Sequence, residues 1–575
     1  MHKQKLTPAI VKMLLGIVVL AAAWMIFSKA EIAKMFAGTA GSFSLFPVIG
    51  FVLALLIGIL LLVLGIIDLK KITSFNRMID ESGIRITKEK HATIGDFFKK
   101  VGNGILGFFR AVGNEAKDIV TTFVHGDWKT KISYFVMGFG CIARGQILRG
   151  ILFLLFEIVF IGYMVLWGFK WLSKLPTLGT VGAQKVYDEV YDQWVTTYND
   201  NSFKILLYGV LTIFFIIAAI YTWRVNVKQN KIAEEILKSG KKLKSGKDDL
   251  KSMVDDQFHK TLLALPMFGI IVFTVLPIVF MVLVAFTNYS GANDGVNNLF
   301  HWVGLKNFNE ILSWKSADGA QSYAATFGEI LSWTLIWAFF ATFTNYFLGM
   351  LVAMAINKKG IRLKKVWRTI LVLTIAIPQF ISLLYVGKMF AKNGIVNGIL
   401  MDLGWIKKAI DFWGDTSHNG LLARVTVILI NIWIGIPYLM LIATGILMNI
   451  PADLYESAKI DGASGWQQYS KITLPYMLFI TGPYLLTSFT GNMNNFNVIY
   501  LLTGGNPVNT AASATGVAVG HTDLLITWLF KIAIGSGNKY YQASVIGVLV
   551  FVIIAIISLV VYSLLPSIKN EEDFQ

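Results

Sequence analysis

Charge is scarce in this 575-residue chain: 15% of its residues are Asp, Glu, Lys or Arg, 55% are hydrophobic, and the mean hydropathy is +0.62. A soluble domain carries about 25% charged residues, so a string of soluble domains is excluded. A disordered chain needs low hydrophobicity and high net charge, and that is excluded too. Acids are scarcer than bases: 34 Asp and Glu against 51 Lys and Arg leave a formal +17. In a soluble protein that excess suggests nucleic acid; in a membrane protein its first reading is basic cytoplasmic loops. Cysteine is almost missing. Cys141 alone forms no internal disulfide and no cysteine-based metal cage.

Catalytic signatures are missing as well. The stretch Gly240–Lys247 superficially resembles a phosphate loop. Five residues separate its glycines instead of four, and Asp248 stands where Ser or Thr would hold magnesium. No His-Glu-x-x-His occurs, the seven histidines do not cluster, and no nucleophile elbow is visible. The chain is therefore expected to hold no catalytic centre, no metal and no ATP site of its own. Acids inside apolar runs are few, and Glu157 is the clearest. An intramembrane acid is by default a functional candidate, but a single one in a peripheral run is more often a helix–helix contact. A proton-coupled carrier needs several.

What is present is apolar length. A span needs about 20 mostly apolar residues at 1.5 Å rise. Ten stretches qualify, at about 10–27, 46–67, 147–167, 205–223, 262–286, 330–356, 370–389, 425–448, 472–489 and 544–564. The first reads as an uncleaved anchor rather than a signal peptide: His2, Lys3 and Lys5 precede it, but no small-x-small cleavage site comes after it. Lys358, Lys359, Arg362, Lys364, Lys365 and Arg368 lie between spans six and seven with no acid. Lysine-rich stretches also separate spans two and three, from Lys70 to Lys100, and spans four and five, from Arg224 to Lys260. These loops share the parity of the N-terminus, and the acidic loop from Asn288 to Glu329 has the opposite parity. The loop from Lys388 to Arg424 disagrees. The majority places both termini inside.

Two inner stretches stand out. Phe97, Phe98, Val101, Ile105, Phe108, Phe109 and Val112 beside Lys99, Lys100, Arg110 and Lys117 predict an amphipathic helix over 97–123. It lies on the inner membrane surface or packs on other cytoplasmic loops. Residues 228–257 read as a charged helix and flexible linker, a spacer rather than a site.

The loop between spans eight and nine reads, from Asn449, NIPADLYESAKIDGASGWQQYSKITLPYM. Pro451 stops the preceding helix. Asp453 is positioned to cap a new one, and Leu454, Ala458 and Ile460 give it an apolar side. Gly462 breaks it. A second short helix is expected through Trp466, Tyr469 and Ile472, with Pro475 opening the ninth span. The result is a helix–turn–helix on the cytoplasmic surface that exposes Tyr455, Glu456 and Trp466. A solvated loop has no need of those apolar groups; a docking element for a cytoplasmic partner has.

The spacing of Glu456-Ser457-Ala458, Gly462, Ile472 and Leu474-Pro475 resembles the EAA loop that marks the membrane subunits of binding-protein-dependent ABC importers. Asp461 agrees, and Ser457 stands for the usual alanine. The resemblance implies a coupling helix seated in a cleft of a separate ATPase, with Glu456, Ser457, Ala458, Asp461, Gly462, Ile472, Leu474 and Pro475 as its positions. Gly304-Leu305-Lys306-Asn307-Phe308, before span six, is similar to an element of sugar permeases. The implied fold is an all-α polytopic membrane protein of about ten transmembrane helices with a type I ABC importer permease core. The expected divisions are a two-span region at 1–70, a cytoplasmic amphipathic and basic segment at 71–146, two further spans and a charged linker at 147–259, the permease core at 260–567 and a cytoplasmic tail at 568–575.

Spans eight and nine also carry polar groups. Ser488, Asn492 and Asn495 are spaced i, i+4, i+7 and are expected on one helix face. Asn431, Gly435 and Tyr438 share another; Trp433 does not on an ideal helix, unless Pro437 distorts the turn. Buried amides and hydroxyls are costly unless partnered. They line a polar cavity, or they are interhelical glue worth about 0.6–2 kcal/mol each. A sugar site needs such groups plus aromatic plates, and a pocket with few acids excludes metal ions and most charged substrates. These spans are most similar to the larger permease of the maltose/maltodextrin type. That resemblance implies that Asn431, Trp433, Gly435, Tyr438, Ser488, Asn492 and Asn495 contact substrate. Gly491 stands where that type has phenylalanine, which suits a wider cavity and longer oligosaccharides.

The family further implies alternating access and several partners. They are a second permease subunit in a pseudo-two-fold heterodimer, two ATPase subunits or an ATPase dimer holding ATP and magnesium, an extracytoplasmic solute-binding protein, an oligosaccharide and membrane lipid, without nucleic acid. The chain itself is expected to be non-catalytic, free of cofactors, and placed in a bacterial plasma membrane. Three rivals stand beside this reading: an ion-coupled secondary sugar carrier, which needs inverted repeats and a coupling-ion site; a membrane scaffold or signalling subunit; and an importer permease for a different glycan or polyol.

Overall fold

The computed structural model describes residues 94–564, apart from 190, 245, 315–320, 359, 514–516 and 536. The first two predicted spans, the basic run from Lys70 to Lys90 and the tail at 568–575 lie outside the described residues. Two compact units are present. One holds Lys100–Ser313 and the described residues from Ile330 onward; of the other, residues 94–99, 314 and 321–329 are described.

Helix α1 (Ile94–His125) encloses the predicted amphipathic helix. Among the described residues, seven helices are long and apolar enough to cross a membrane. Four of them come first: α2 (Ile147–Lys174), α3 (Ser202–Lys238), α4 (Phe258–Val284) and α5 (Tyr323–Asn357). A bent pair is next, α6 (Lys364–Ala376) and α7 (Gln379–Met389). Then come α8 (Leu421–Leu447), the short α9 (Ala452–Ile460), α10 (Gly465–Met493), α11 (Phe496–Leu502), α12 (Leu525–Ile534) and α13 (Tyr540–Leu564). With the bent pair counted once, these are the last eight predicted spans. The chain is a multi-pass membrane protein.

The seventh predicted span differs from expectation. It bends by 91° between α6 and α7. Pro378 forces the preceding residue out of the helical region, and Ile377 accordingly takes φ −81, ψ 126. Neither limb alone reaches across about 30 Å of hydrocarbon. The all-α expectation also has one exception. Strands β1 (Gln184–Asp188) and β2 (Gln193–Thr197) form an antiparallel hairpin between α2 and α3, with Tyr187 opposite Trp194.

Helix α3 has 37 residues, or about 55 Å at 1.5 Å each, so it extends well past a bilayer core. Its polar end carries Asn226, Asn230 and Glu234 at four-residue spacing, all buried. They face the turns at 127–145. Asn226 Nδ2 donates to Ser133 O (2.8 Å), and Thr130 Oγ1 donates to Glu234 Oε2 (3.0 Å). The Arg144 side chain, 1% exposed, reaches Asp127 (2.5 Å), Thr130 Oγ1 (2.7 Å) and Asn230 Oδ1 (2.8 Å). Burial alone would raise the Asp127 carboxyl. The hydrogen bonds from Thr130 and the Arg144 guanidinium outweigh it and hold the group below the ordinary carboxylate range. Glu157, the intramembrane candidate, accepts from the Met137 N–H at 2.8 Å. It closes a turn, a structural contact between neighbouring elements.

The core of the larger unit is aromatic and aliphatic. Trp333, Trp337, Leu383, Val427, Val498, Ile499 and Leu524 form one cluster; Met350, Ala353, Met440, Ala443 and Met477 form another. Helices α5 and α8 cross closely. A Cβ at Gly349 would lie 2.7 Å from Leu439 Cβ, so the crossing demands a residue without one.

Candidate functional site

The loop around α9 is built as the sequence indicated, except that Tyr455 is half-buried rather than exposed, and with two further corrections. Pro451, not Asp453, occupies the N-cap of α9 and offers no side-chain bond. Asp453 lies in the first turn, where its charge suits the helix dipole. Gly462 ends α9 at φ +75. The Ala463 N–H donates to Ala458 O (2.8 Å) and the Gly462 N–H to Lys459 O (3.0 Å), the double closure of a Schellman motif. A Cβ at 462 would meet open space. The glycine is therefore needed for its backbone, not for room.

The second correction concerns the segment after Gly462. No separate short helix intervenes before the span. Ser464 caps α10 reciprocally with Gln467, the Gln467 N–H donating to Ser464 Oγ (3.3 Å) and the Ser464 N–H to Gln467 Oε1 (2.7 Å). A π turn at Tyr469–Thr473 then carries the chain into the rest of α10. Pro475 sits inside this rod, in the opening turn of its α-helical part. Tyr455 Oη lies 2.8 Å from Thr473 Oγ1 and ties α9 to the rod. Glu456, Ser457, Asp461, Gly462 and Pro475 are exposed, and Ala458, Ile472 and Leu474 are half-buried. Leu474 packs on the methionine cluster. Apolar side chains stand among these exposed polar groups: Ile460 is 87% exposed and Trp466 73%.

The polar groups of α8 and α10 do not gather as spacing suggested. Helix α10 ends at Met493, and Asn495 is the N-cap of α11, its Oδ1 accepting from the Val498 N–H (3.3 Å). The single face through Asn495 therefore does not exist. Asn492 and Asn495 still meet, Asn495 Nδ2 donating to Asn492 Oδ1 (3.3 Å). Asn492 Nδ2 donates to Thr342 Oγ1 (3.0 Å), and Trp337 Nε1 donates to Asn492 O (3.1 Å). These bonds hold α10 to α5, so in this state the amide acts as glue. Ser488 is half-buried, beside Tyr484. On α8, Asn431 is buried with its Nδ2 unpartnered, and Trp433 and Tyr438 are exposed. The helix runs through Pro437 without a break, so Trp433 stays on the side opposite Asn431. A Cβ at Gly435 would fall 2.5 Å from Asn345 Nδ2, which accounts for this glycine by helix approach. Two cavities, of about 160 and 240 Å³, are lined by other residues.

Beyond α11 the chain folds into a polar cap that the sequence did not single out. Asp523, fully buried, accepts from Lys531 Nζ (2.6 Å), Thr527 Oγ1 (2.9 Å) and the Gly520 N–H (2.7 Å). Thr503 and Thr522 join through their hydroxyls at 2.8 Å. Trp333 Nε1 donates to Thr522 O (3.1 Å), and Arg424 Nε donates to His521 O (2.7 Å) with its guanidinium 4.9 Å above the Trp333 ring. A Cβ at Gly520 would sit 1.8 Å from Gly505 O, so this pairing requires glycine. Sequence reasoning missed Asp523, Lys531, Trp337 and Thr342. The available signals were an acid eight residues before a lysine in an apolar stretch, and a threonine in the fifth-to-sixth-turn region of α5.

These features define a class. Residues 345–570 match the family of binding-protein-dependent transport system inner membrane components. The chain belongs to that family: it is an ABC importer permease. Among its relatives is the maltodextrin transport system permease protein MdxF of Bacillus subtilis, 30% identical over 450 residues, which cover 77% of this chain and 97% of that one. The galactooligosaccharides transport system permease protein GanP of the same organism is 31% identical over 373 residues, 65% of this chain and 85% of its own. The maltose/maltodextrin transport system permease protein MalF of Escherichia coli is 34% identical over 261 residues, 45% of this chain and 48% of its own.

Proposed function

We propose that this chain is the non-catalytic membrane subunit of an importer for malto-oligosaccharides. In this reading both termini are cytoplasmic. The chain pairs with a second permease and receives sugar from an extracytoplasmic solute-binding protein. Two ATPase subunits, which hold ATP and magnesium, drive it. The observation that carries the reading is the inner end of α10. Helix α9, ended by Gly462 and exposing Leu454 and Ile460, is tied through Tyr455 to a continuous rod whose other end holds Asn492, with Asn495 just beyond it. In this role Glu456, Ser457, Ala458, Asp461 and Gly462 meet the ATPase. Ile472, Leu474 and Pro475 join that contact to the span.

For substrate, Asn431, Ser488, Asn492 and Asn495 supply hydrogen bonds, Trp433 and Tyr438 supply plates, and Gly435 sets the wall. The unpartnered Nδ2 of Asn431 supports this, because a buried donor without a bond calls for one. The resemblance of GanP favours a second reading, import of a galactose-containing oligosaccharide. The test is ATPase stimulation of the reconstituted complex by a panel of glycans delivered by the binding protein. Maltodextrins are expected to stimulate, and Trp433→Ala to abolish the response. Stimulation by galacto-oligosaccharides alone would replace the substrate, and an unchanged Trp433→Ala response would remove Trp433 from the site.

A further inference from the structure

The loop from α5 into α6 gathers cations without counter-ions. Lys358, Arg362, Lys364, Lys365 and Arg368 lie within eleven residues that hold no acid. None of the five pairs with a carboxylate among the described residues. Helix α6 begins at Lys364 with Leu363 at its N-cap, no side-chain cap bond and no acid in its first turn. A helix start favours negative charge and carries free N–H donors. Here it carries three cations of its own instead, an arrangement that repels itself until an anion arrives. Arg368 adds an independent sign. Its Nη2 donates to Asn357 Oδ1 at 2.7 Å, but its Nε is buried with no hydrogen-bond partner. Lys364 Nζ is held nearby by Asn357 O at 3.2 Å.

The same turn exposes apolar side chains. Leu363 is 70% exposed, and Ile361, Val366 and Trp367 are exposed beside it. Leu363 holds a left-handed backbone, φ 58. A free phosphate would answer the cations but not these groups. The proposed ATPase contact lies on a different loop, at α9. We propose that this loop binds the phosphate of an anionic phospholipid of the inner leaflet, with Arg362, Lys364, Lys365 and Arg368 around the headgroup and Leu363 and Trp367 against its glycerol and acyl region. The placement on the inner leaflet rests on the cytoplasmic orientation proposed for both termini. The binding itself does not depend on which sugar is carried.

The test uses the full complex in proteoliposomes containing a photoactivatable phosphatidylglycerol, with peptide mapping of the label afterwards. Label is expected on the peptide containing Trp367. Arg362 and Lys365 are exposed and have no partner to lose, so Arg362→Gln/Lys365→Gln is expected to fold. Each cation near an anionic surface contributes about a factor of five, so labelling should fall roughly 25-fold. Lys407→Gln/Lys408→Gln, on a loop of opposite parity, should leave labelling unchanged. Equal labelling by a phosphatidylcholine probe, displacement by inorganic phosphate, insensitivity to Arg362→Gln/Lys365→Gln, or loss of label whenever the ATPase is bound would each overturn the proposal. Labelling does not require transport, so a failure here is separable from a failure of the importer reading.

Discussion

Around the N-terminal end of α10, apolar side chains stand partly in the open: Ile460 is 87% exposed, Trp466 73% and Leu454 47%. At its C-terminal end the reverse holds, and Asp523, Thr522, Thr527 and Asn492 are buried or half-buried and hydrogen-bonded. The cap binds its buried Asp523 with groups of its own chain. The loop around α9 leaves apolar side chains exposed, and the proposed ATPase contact would cover them. Between them runs one rod of 29 residues, about 44 Å long. A displacement imposed on the start of this rod has one continuous helix along which to reach Asn492.

Breaking the outer side should cost most. Lys531→Met leaves Asp523 buried and unpaired, which costs about 3–5 kcal/mol. The expected result is a strong loss of thermal stability in detergent, partly restored when Asp523→Leu is added. The inner side should break function without breaking the fold. Gly462→Asp forces a side chain into the left-handed region at a local cost of about 1–2 kcal/mol. Uptake is expected to vanish while membrane levels and melting temperature stay near wild type. A smaller effect is expected from Asn492→Leu, which removes the bond to Thr342, worth about 0.6–2 kcal/mol; a thermal melt should show it as a modest shift. The smallest is Tyr455→Phe, which deletes one hydroxyl bond worth about 0.5–1.5 kcal/mol. It should lower the ratio of sugar transported to ATP hydrolysed and leave stability nearly unchanged.

Long-period features were legible in the sequence. Among the described residues, apolar length located seven spans and the bent pair, because a bilayer imposes a minimum run whatever the packing. The short helix α9 and its end at Gly462 were legible because a proline, a glycine and a short apolar stripe act locally. Proline inside spans was not. Pro437 and Pro483 sit within continuous helices, whereas Pro378 divides α6 from α7. Neighbouring helices can make good the lost bond in one place and not in another, and that depends on tertiary contacts. The one-face argument failed at Asn495 for a related reason: its side chain caps α11, and capping residues favour leaving the helix. The Arg144 cluster was invisible because its partners Asn230 and Glu234 lie some 90 residues away. The hairpin strands, five residues each, are too short for a clear alternation.

The most direct test of the central claim, that the apolar inner helix couples a separate ATPase to the span, is a paired measurement on one preparation. Sugar uptake and sugar-stimulated ATP hydrolysis are compared in the reconstituted complex carrying wild-type chain or Glu456→Ala, at equal membrane levels. The account expects uptake to be lost in the variant while the outer cap keeps its wild-type melting behaviour. Uptake at the wild-type rate from the variant would contradict it.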